Sequence, residues 1–405
     1  MCLGGGIEGL PIIQKVDRLG YCPIVLDLSE SSPGFLWARE NPDRVMAWQC
    51  DAYNPRSVLS TVSRVWNHSK MTSEVAGVLC CAVDAPDSQA ILAKKFRTPS
   101  IGVECAIPAK DKWIQYEWLS KHNIPVPPTK LIEKWGIVEH PGYEIIKPVI
   151  GRGARGVSRF TSDTYGDRLR EAFVQAPAKN KKAIIQKRLR GIQLSTESVI
   201  QNGHILFTAV FERNYSRLDE FYPYIIEDGI DGPYWLKPDH YRNLESLLLR
   251  ASLCMGWDNC TVKGDIVFDG GAFFVIELAP RLSGGYMCTH STPMAYEYDF
   301  LRSAIQLAVG GRVNEREEGE RRDVCQRYLF PRPEWIGKTF AGKATWIGEE
   351  SVFLTIHKNK GHKISPVTSH ADRLGQCLVS AENAIAARAK CEAYIASAMS
   401  QIEVQ

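Results

Sequence analysis

Three observations predict an α/β domain followed by α+β lobes. Short apolar runs alternate with helical patterns over about the first hundred residues. Beyond residue 106 the strands lengthen and read as antiparallel. The bulk composition is that of a soluble, multidomain chain. Its 405 residues suffice for several domains at about 100–200 residues each.

In the first part, "PIIQKVDRLG" has helical spacing and ends in Gly20. "CPIVLDL" reads as a buried parallel strand, "RSVLSTVSRVW" as a helix and "EVAGVLCCAV" as a strand. "DSQAILAKKF" reads as a helix capped by Asp87, and "TPSIGV" as a short closing strand. The first strand is only "MCL", so its start reads as trimmed. This rhythm predicts a parallel sheet with helices on both faces.

The second part begins with a helix, "DKWIQYEWLSKHN", that stops before "IPVPPT". "YEIIKPVI", "GVSRFTS", a helix near 163–175 and "AIIQKRL" follow. Two long alternating strands, "QLSTESVIQ" and "HILFTAVFERN", lead to a helix near 239–255. "CTVKGDIVFDGGAFFVIEL" predicts a hairpin turning at Asp269-Gly270-Gly271. A helix near 294–309 ends at Gly310-Gly311, and the last 75 or so residues read as short strands and a final helix, "AENAIAARAKCEAYIASAM". The expected domains are 1–105 (parallel α/β), 106–187 (small lobe), 188–330 (large lobe) and 331–405 (a cap).

Hydrophobic residues make up 44% of the chain and charged residues 23%, with 49 basic against 46 acidic side chains. That near-neutral balance argues against a nucleic-acid or membrane-surface partner. No apolar run approaches the ~20 residues of a membrane span, and the N-terminus lacks the basic and apolar regions of a signal peptide. A cytosolic location is therefore expected. The twelve cysteines are scattered without a C-x-x-C pair, as reduced, buried thiols would be.

Three segments carry chemistry. "GGGIEG", Gly4 to Gly9, fits G-x-G-x-x-G between a strand and a helix, with Asp27 at the spacing of a ribose-binding acid. The same residues suit a tight turn, or a turn that shapes a substrate cleft. In "IIKPVIGRGARGVSRF", Lys147 closes a strand, and Gly151, Gly153 and Gly156 let backbone N–H groups approach phosphate oxygens. Arg152 and Arg155 add positive charge there, while the G-x-x-x-x-G-K-[ST] pattern of a P-loop is absent. In "VKGDIVFDGGAFFVIELAPRLSGGY", Asp265 and Glu277 fall on adjacent strands and can reach one face. Such a pair suits a hard divalent cation bound to nucleotide phosphates. Arg281, four residues on, is placed to clamp a phosphate.

Together these segments resemble the ATP-grasp superfamily, including its L-amino-acid ligases and purine-pathway enzymes. The resemblance implies an N-terminal α/β domain, two ATP-gripping lobes and a small C-terminal domain. It implies ATP contacts at Lys112 ("AKDKW"), Lys147, and Gly153, Ala154 and Gly156 of the glycine-rich lid. Gln186, Lys187 and Leu189 would border the adenine, and Gln193 would face the ribose with Glu197 nearby. It implies Mg²⁺, with Mn²⁺ as a substitute, on Asp265 and Glu277, and Arg281 at the transferring phosphate. Substrate contacts are expected from Arg213, Tyr215, Tyr222, Gly284, Gly285 and His290. The implied reaction activates a small carboxylate as an acyl phosphate and joins it to an amine; a homodimer is also implied. The chain departs from the family pattern in Ala279 where Asn is common, Gln193 where Glu is usual, and Ala154 where Ser is frequent.

Overall fold

The structure, a computed structural model, describes residues 1–68, 74–136, 141–177, 181–314, 321–342 and 351–405. It contains three sheets. The N-terminal sheet is parallel: Cys2–Leu3 pairs with Ile24–Asp27 and Leu79–Cys80, and Met46–Gln49 forms one edge. A small antiparallel sheet joins Thr129–Ile132, Ala183–Gln186, Ile145–Pro148 and Ser158–Arg159 in that order. The third sheet has eight strands. Its centre is Ile192–Gln201 between Cys260–Asp269 and His204–Asn214, and Ala272–Ala279 is one edge. Asp323–Leu329, Gly375–Ala381 and Val352–Ile356 extend it on the other side. The sheet is thus continuous across residue 331, and the C-terminal strands belong to the same surface as the central ones.

The hairpin forms as the turn residues require. Gly270 and Gly271 both have positive φ (57° and 83°), and Asp269 pairs with Ala272; two left-handed positions in a row are what a two-residue hairpin turn needs. Several expectations are corrected. Asp87 does not cap its helix: Pro86 occupies the first turn of Pro86–Phe96, and the Asp87 carboxylate serves Ser88 N and Lys110. "TPSIGV" forms no strand, consistent with Pro99 having no N–H for a ladder. The helix expected at 294–309 breaks at Glu297 (φ 48°), and the Asp299 side chain caps a new helix, Phe300–Ala308. A helix at Pro33–Glu40 and strands at Met46–Gln49, Thr129–Ile132 and Gly229–Gly232 are additions.

One buried side chain couples two of these units. Gln115 lies on the helix Lys112–Lys121, whose Asp111 cap accepts from Trp113 N and Ile114 N. Gln115 Nε2 donates to Pro108 O and Leu278 O, and its Oε1 accepts from Leu278 N at 2.8 Å. The helix start is thereby fixed beside the strand that carries Glu277. Gln115→Ala leaves those backbone groups without partners and is expected to cost about 2–3 kcal/mol in a denaturant titration; a loss below ~0.5 kcal/mol would contradict this coupling.

Candidate functional site

The two lobes enclose a cleft of about 740 Å³. Its floor is one face of the large sheet. Asp265 sits directly opposite Glu277 in the hairpin register and opposite Ser195 on its other side, so all three side chains share a face. Lys263, two residues before Asp265, lies on that face as well.

These charges are interlocked. Lys112 Nζ contacts Glu277 Oε1 at 3.1 Å and donates to Gly151 O at 2.9 Å. Asp265 takes Arg213 at 2.8 Å and Lys263. Burial alone would raise the Asp265 carboxyl, but Arg213 and Lys263 outweigh it and hold the group well below the usual carboxylate range. Arg213 also grips Glu227 and lies against the Tyr215 ring. Lys147 is 9% exposed and donates to Gln186 Oε1 at 2.8 Å. Burial pushes its ammonium down to about 8, opposed by the pull of Glu277.

The glycine-rich loop lies over this floor. Gly153, Ala154 and Gly156 all take positive φ. Arg152 stacks on the Tyr53 ring of the N-terminal domain at 3.5 Å, and Gly153 O accepts from His370 N at 3.0 Å. Opposite the loop, Arg281 Nε donates to Asp84 Oδ1 at 3.0 Å.

Most sequence-predicted residues meet here. Lys112, Lys147, Gly153, Ala154, Gln186, Lys187, Leu189, Gln193, Arg213, Tyr215, Asp265, Glu277, Arg281, Gly284 and Gly285 all line the cleft. Four lie elsewhere. Gly156 stands behind the loop, where a Cβ would meet Pro148 and Gln175 at 3.0 Å. Tyr222 is exposed and carries Arg159 over its ring. His290 packs on Phe353, and burial pushes its ring down to about 4. Glu197, 1% exposed, braces the turn below by accepting from Ser283 N and Thr292 Oγ1.

"GGGIEG" serves the cleft indirectly. Gly5 N donates to Asp27 Oδ2 at 2.7 Å and Gly5 O accepts from Gly34 N, so Asp27 and that backbone are engaged within the protein. Glu8 from the same loop reaches the cleft wall and accepts from Gly285 N at 2.9 Å. Sequence reasoning missed Glu8, Tyr53, Asp84, Lys263 and three residues of the C-terminal segment, His357, His370 and Arg373. Only Lys263 had a visible cue, its period-two spacing from Asp265.

Lysine and arginine side chains on the cleft wall outnumber carboxylates, which suits a polyanion. The donor set also fits a hard divalent cation. Glu277 is 34% exposed at its side chain, and among the described residues it pairs with Lys112. Among the described residues no group of three or more His, Cys, Asp or Glu forms a closed metal cage. Two opposed carboxylates then suit an ion completed by phosphate oxygens and water.

Residues 109–285 match the family model of the ATP-grasp domain, a span running from just before Lys112 to Gly285. The fold is similar to that of an L-amino acid ligase from Bacillus licheniformis, with 17% identity and a TM-score of 0.77 over 100% of this chain and 98% of that one. It is also similar to a phosphoribosylglycinamide synthetase from Anaerococcus prevotii (16%, TM-score 0.71, 100% and 98%). A biotin carboxylase from Campylobacter jejuni gives 15%, a TM-score of 0.71, and coverage of 100% and 91%. No curated protein matches the sequence of this chain. The chain therefore contains an ATP-grasp domain and has the ATP-grasp fold. No helix among the described residues is long and apolar enough to cross a membrane.

Proposed function

We propose that this chain, whose residues 109–285 form an ATP-grasp domain, is an ATP-dependent ligase that joins a small carboxylate to an amine. The observation that carries the reading is the opposed Asp265–Glu277 pair, facing Lys112 and Lys147 under a glycine-rich loop.

In this reading a carboxylate oxygen takes the γ-phosphoryl group from ATP and ADP leaves. The amine nitrogen, as the free base, attacks the acyl carbon and loses a proton to the phosphate, which departs with the electron pair of the broken C–O bond. Lys147 and Lys112 neutralise phosphate oxygens as charge shifts between them. Asp265 and Glu277 would hold Mg²⁺, or Mn²⁺ in its place, which supplies further neutralisation of phosphate charge. Arg281, oriented by Asp84, holds the transferring group in line. The loop at 151–156, tied to Tyr53 and His370, keeps water from the acyl phosphate. Gln186 to Leu189 and Gln193 line the adenosine end.

An amino acid is the favoured carboxylate, because the cleft end beyond Arg281 offers both a cation, Arg373, and a carboxylate, Glu8. A purine-pathway ligase or a carboxylase is the second reading, supported by the fold likeness to such enzymes.

Phosphate release from Mg·ATP against amino acids, alone and in pairs, tests the proposal. Pair-dependent release with a product mass equal to both substrates minus water is expected, and Glu277→Gln should abolish it while unfolding like the parent. Wild-type turnover by Glu277→Gln would remove the metal assignment. A pH series gives a second check. Lys147 is charged at neutral pH and loses its proton above about 8 in the free protein. Nucleotide affinity is therefore expected to be flat below that value and to fall above it. Lys147→Arg should abolish the fall, because a guanidinium keeps its charge; an unchanged pH profile in that variant would place phosphate elsewhere.

A further inference from the structure

A second cavity, about 1000 Å³, continues from the cleft at the end of the large sheet. The two share Arg190, Gly191, Gln193, Arg213, Tyr215 and Tyr328 as walls. The far wall of the second cavity is formed by Glu212, Asp228, Asp231 and the helix Ala384–Ser400, through Arg388, Glu392 and Ile395. None of those far-wall residues has a part in the reaction above.

The charges of this cavity are unevenly committed. Each arginine on its wall has a carboxylate: Arg190 has Glu144, Arg213 has Glu227 and Asp265, Arg217 has Glu220, and Arg327 and Arg388 share Asp231. Asp228 is different. It is 4% exposed, and its Oδ2 accepts from the Ser216 hydroxyl at 3.0 Å. Its Oδ1 is buried and has no hydrogen-bond partner among the described residues. A buried carboxylate oxygen without a donor costs free energy comparable to a lost charged hydrogen bond. Burial pushes the Asp228 carboxyl up, while Ser216, Arg327 and Arg217 act against it. The residue before it, Glu227, holds Arg213 in the main cleft, so one short stretch of chain borders both cavities.

We propose that the second cavity receives the amine nucleophile in its ammonium form, with Asp228 Oδ1 as the acceptor of its N–H, and passes it to the cleft past Arg213 and Tyr328. The ammonium gives up one proton to solvent in the open cavity, and the free amine reaches the acyl group through the shared wall without passing the glycine-rich loop. This rests on the ligase reading only in naming the cation as the nucleophile.

The test uses n-butylamine, an ammonium ion at neutral pH, and 1-butanol as its neutral counterpart, titrated into the full chain by calorimetry. The amine is expected to bind more tightly than the alcohol. Asp228→Asn keeps the Ser216 contact and should weaken the amine about tenfold, the size of one charge-assisted hydrogen bond, with Mg·ADP affinity unchanged. Ala396→Trp, at an exposed helix position on the cavity wall, should block the amine without touching the carboxylate. Equal affinity for amine and alcohol, or unchanged amine affinity in both variants, overturns the proposal. Equal loss of Mg·ADP in Asp228→Asn overturns it too. Product formation separates the two readings. Amine binding that follows these expectations with no condensed product retains the cation site and sinks the ligase. Condensed product with the amine KM unaltered in both variants sinks the site and retains the ligase.

Discussion

Two carboxylates face each other across the hairpin, and like charges in that position repel. Asp265 and Glu277 are directly opposed, and the molecule is arranged around making that tolerable. Lys112 meets Glu277, while Arg213 and Lys263 meet Asp265. Lys112 and Arg213 arrive from elements outside the hairpin, so compensating the pair also draws those elements to it, while Lys263 shares the strand of Asp265. Lys112 brings the helix after the N-terminal domain, and Gln115 pins that helix to the edge strand. Arg213 brings Glu227 and the connection between two strands of the large sheet. Removing Asp265 would leave Arg213 and Lys263 facing one another in a partly buried place, whereas Glu277, a third exposed, meets Lys112 at the open side.

The glycine-rich loop is held over the floor by contacts from outside it. Gly153, Ala154 and Gly156 carry positive φ, and at Ala154 that conformation needs outside support. Support comes from both ends of the chain, through Tyr53 under Arg152 and His370 N on Gly153 O. The C-terminal segment therefore acts on the cleft although its strands belong to the large sheet. Arg373, stacked on Tyr328 and bonded to Glu227 O, reaches the same wall.

Much of this was legible in the sequence, for local reasons. Period-two alternation and the Asp269-Gly270-Gly271 turn place Asp265 and Glu277 on one face, and the structure pairs them. Lys147 before a glycine-rich stretch reads as a strand leading into a loop, as found. The misses have nonlocal causes. Glu8, Asp84 and Arg373 reach the cleft through tertiary packing, and nothing near them in the chain marks their destination. His290 follows the Gly284-Gly285 turn in the chain, and after the backbone turns at Tyr286 (φ 60°) its ring packs on Phe353. Asp27 sits at the spacing of a ribose ligand, yet a tight turn needs a cap for Gly5 N, and that local demand is what it meets. The helix expected at 294–309 divides at Glu297, next to Tyr296, whose hydroxyl bonds the Val210 backbone inside the core.

Nucleotide is expected to bind between the lobes, against the opposed carboxylates. A crystal structure of the full chain with Mg·ADP tests it most directly. Adenine is expected beside Gln186–Leu189, phosphates under the loop at 151–156 near Lys147, and the metal on Asp265 and Glu277. Nucleotide found instead at Gly4–Gly9 over the N-terminal sheet, with no metal on that pair, would contradict it.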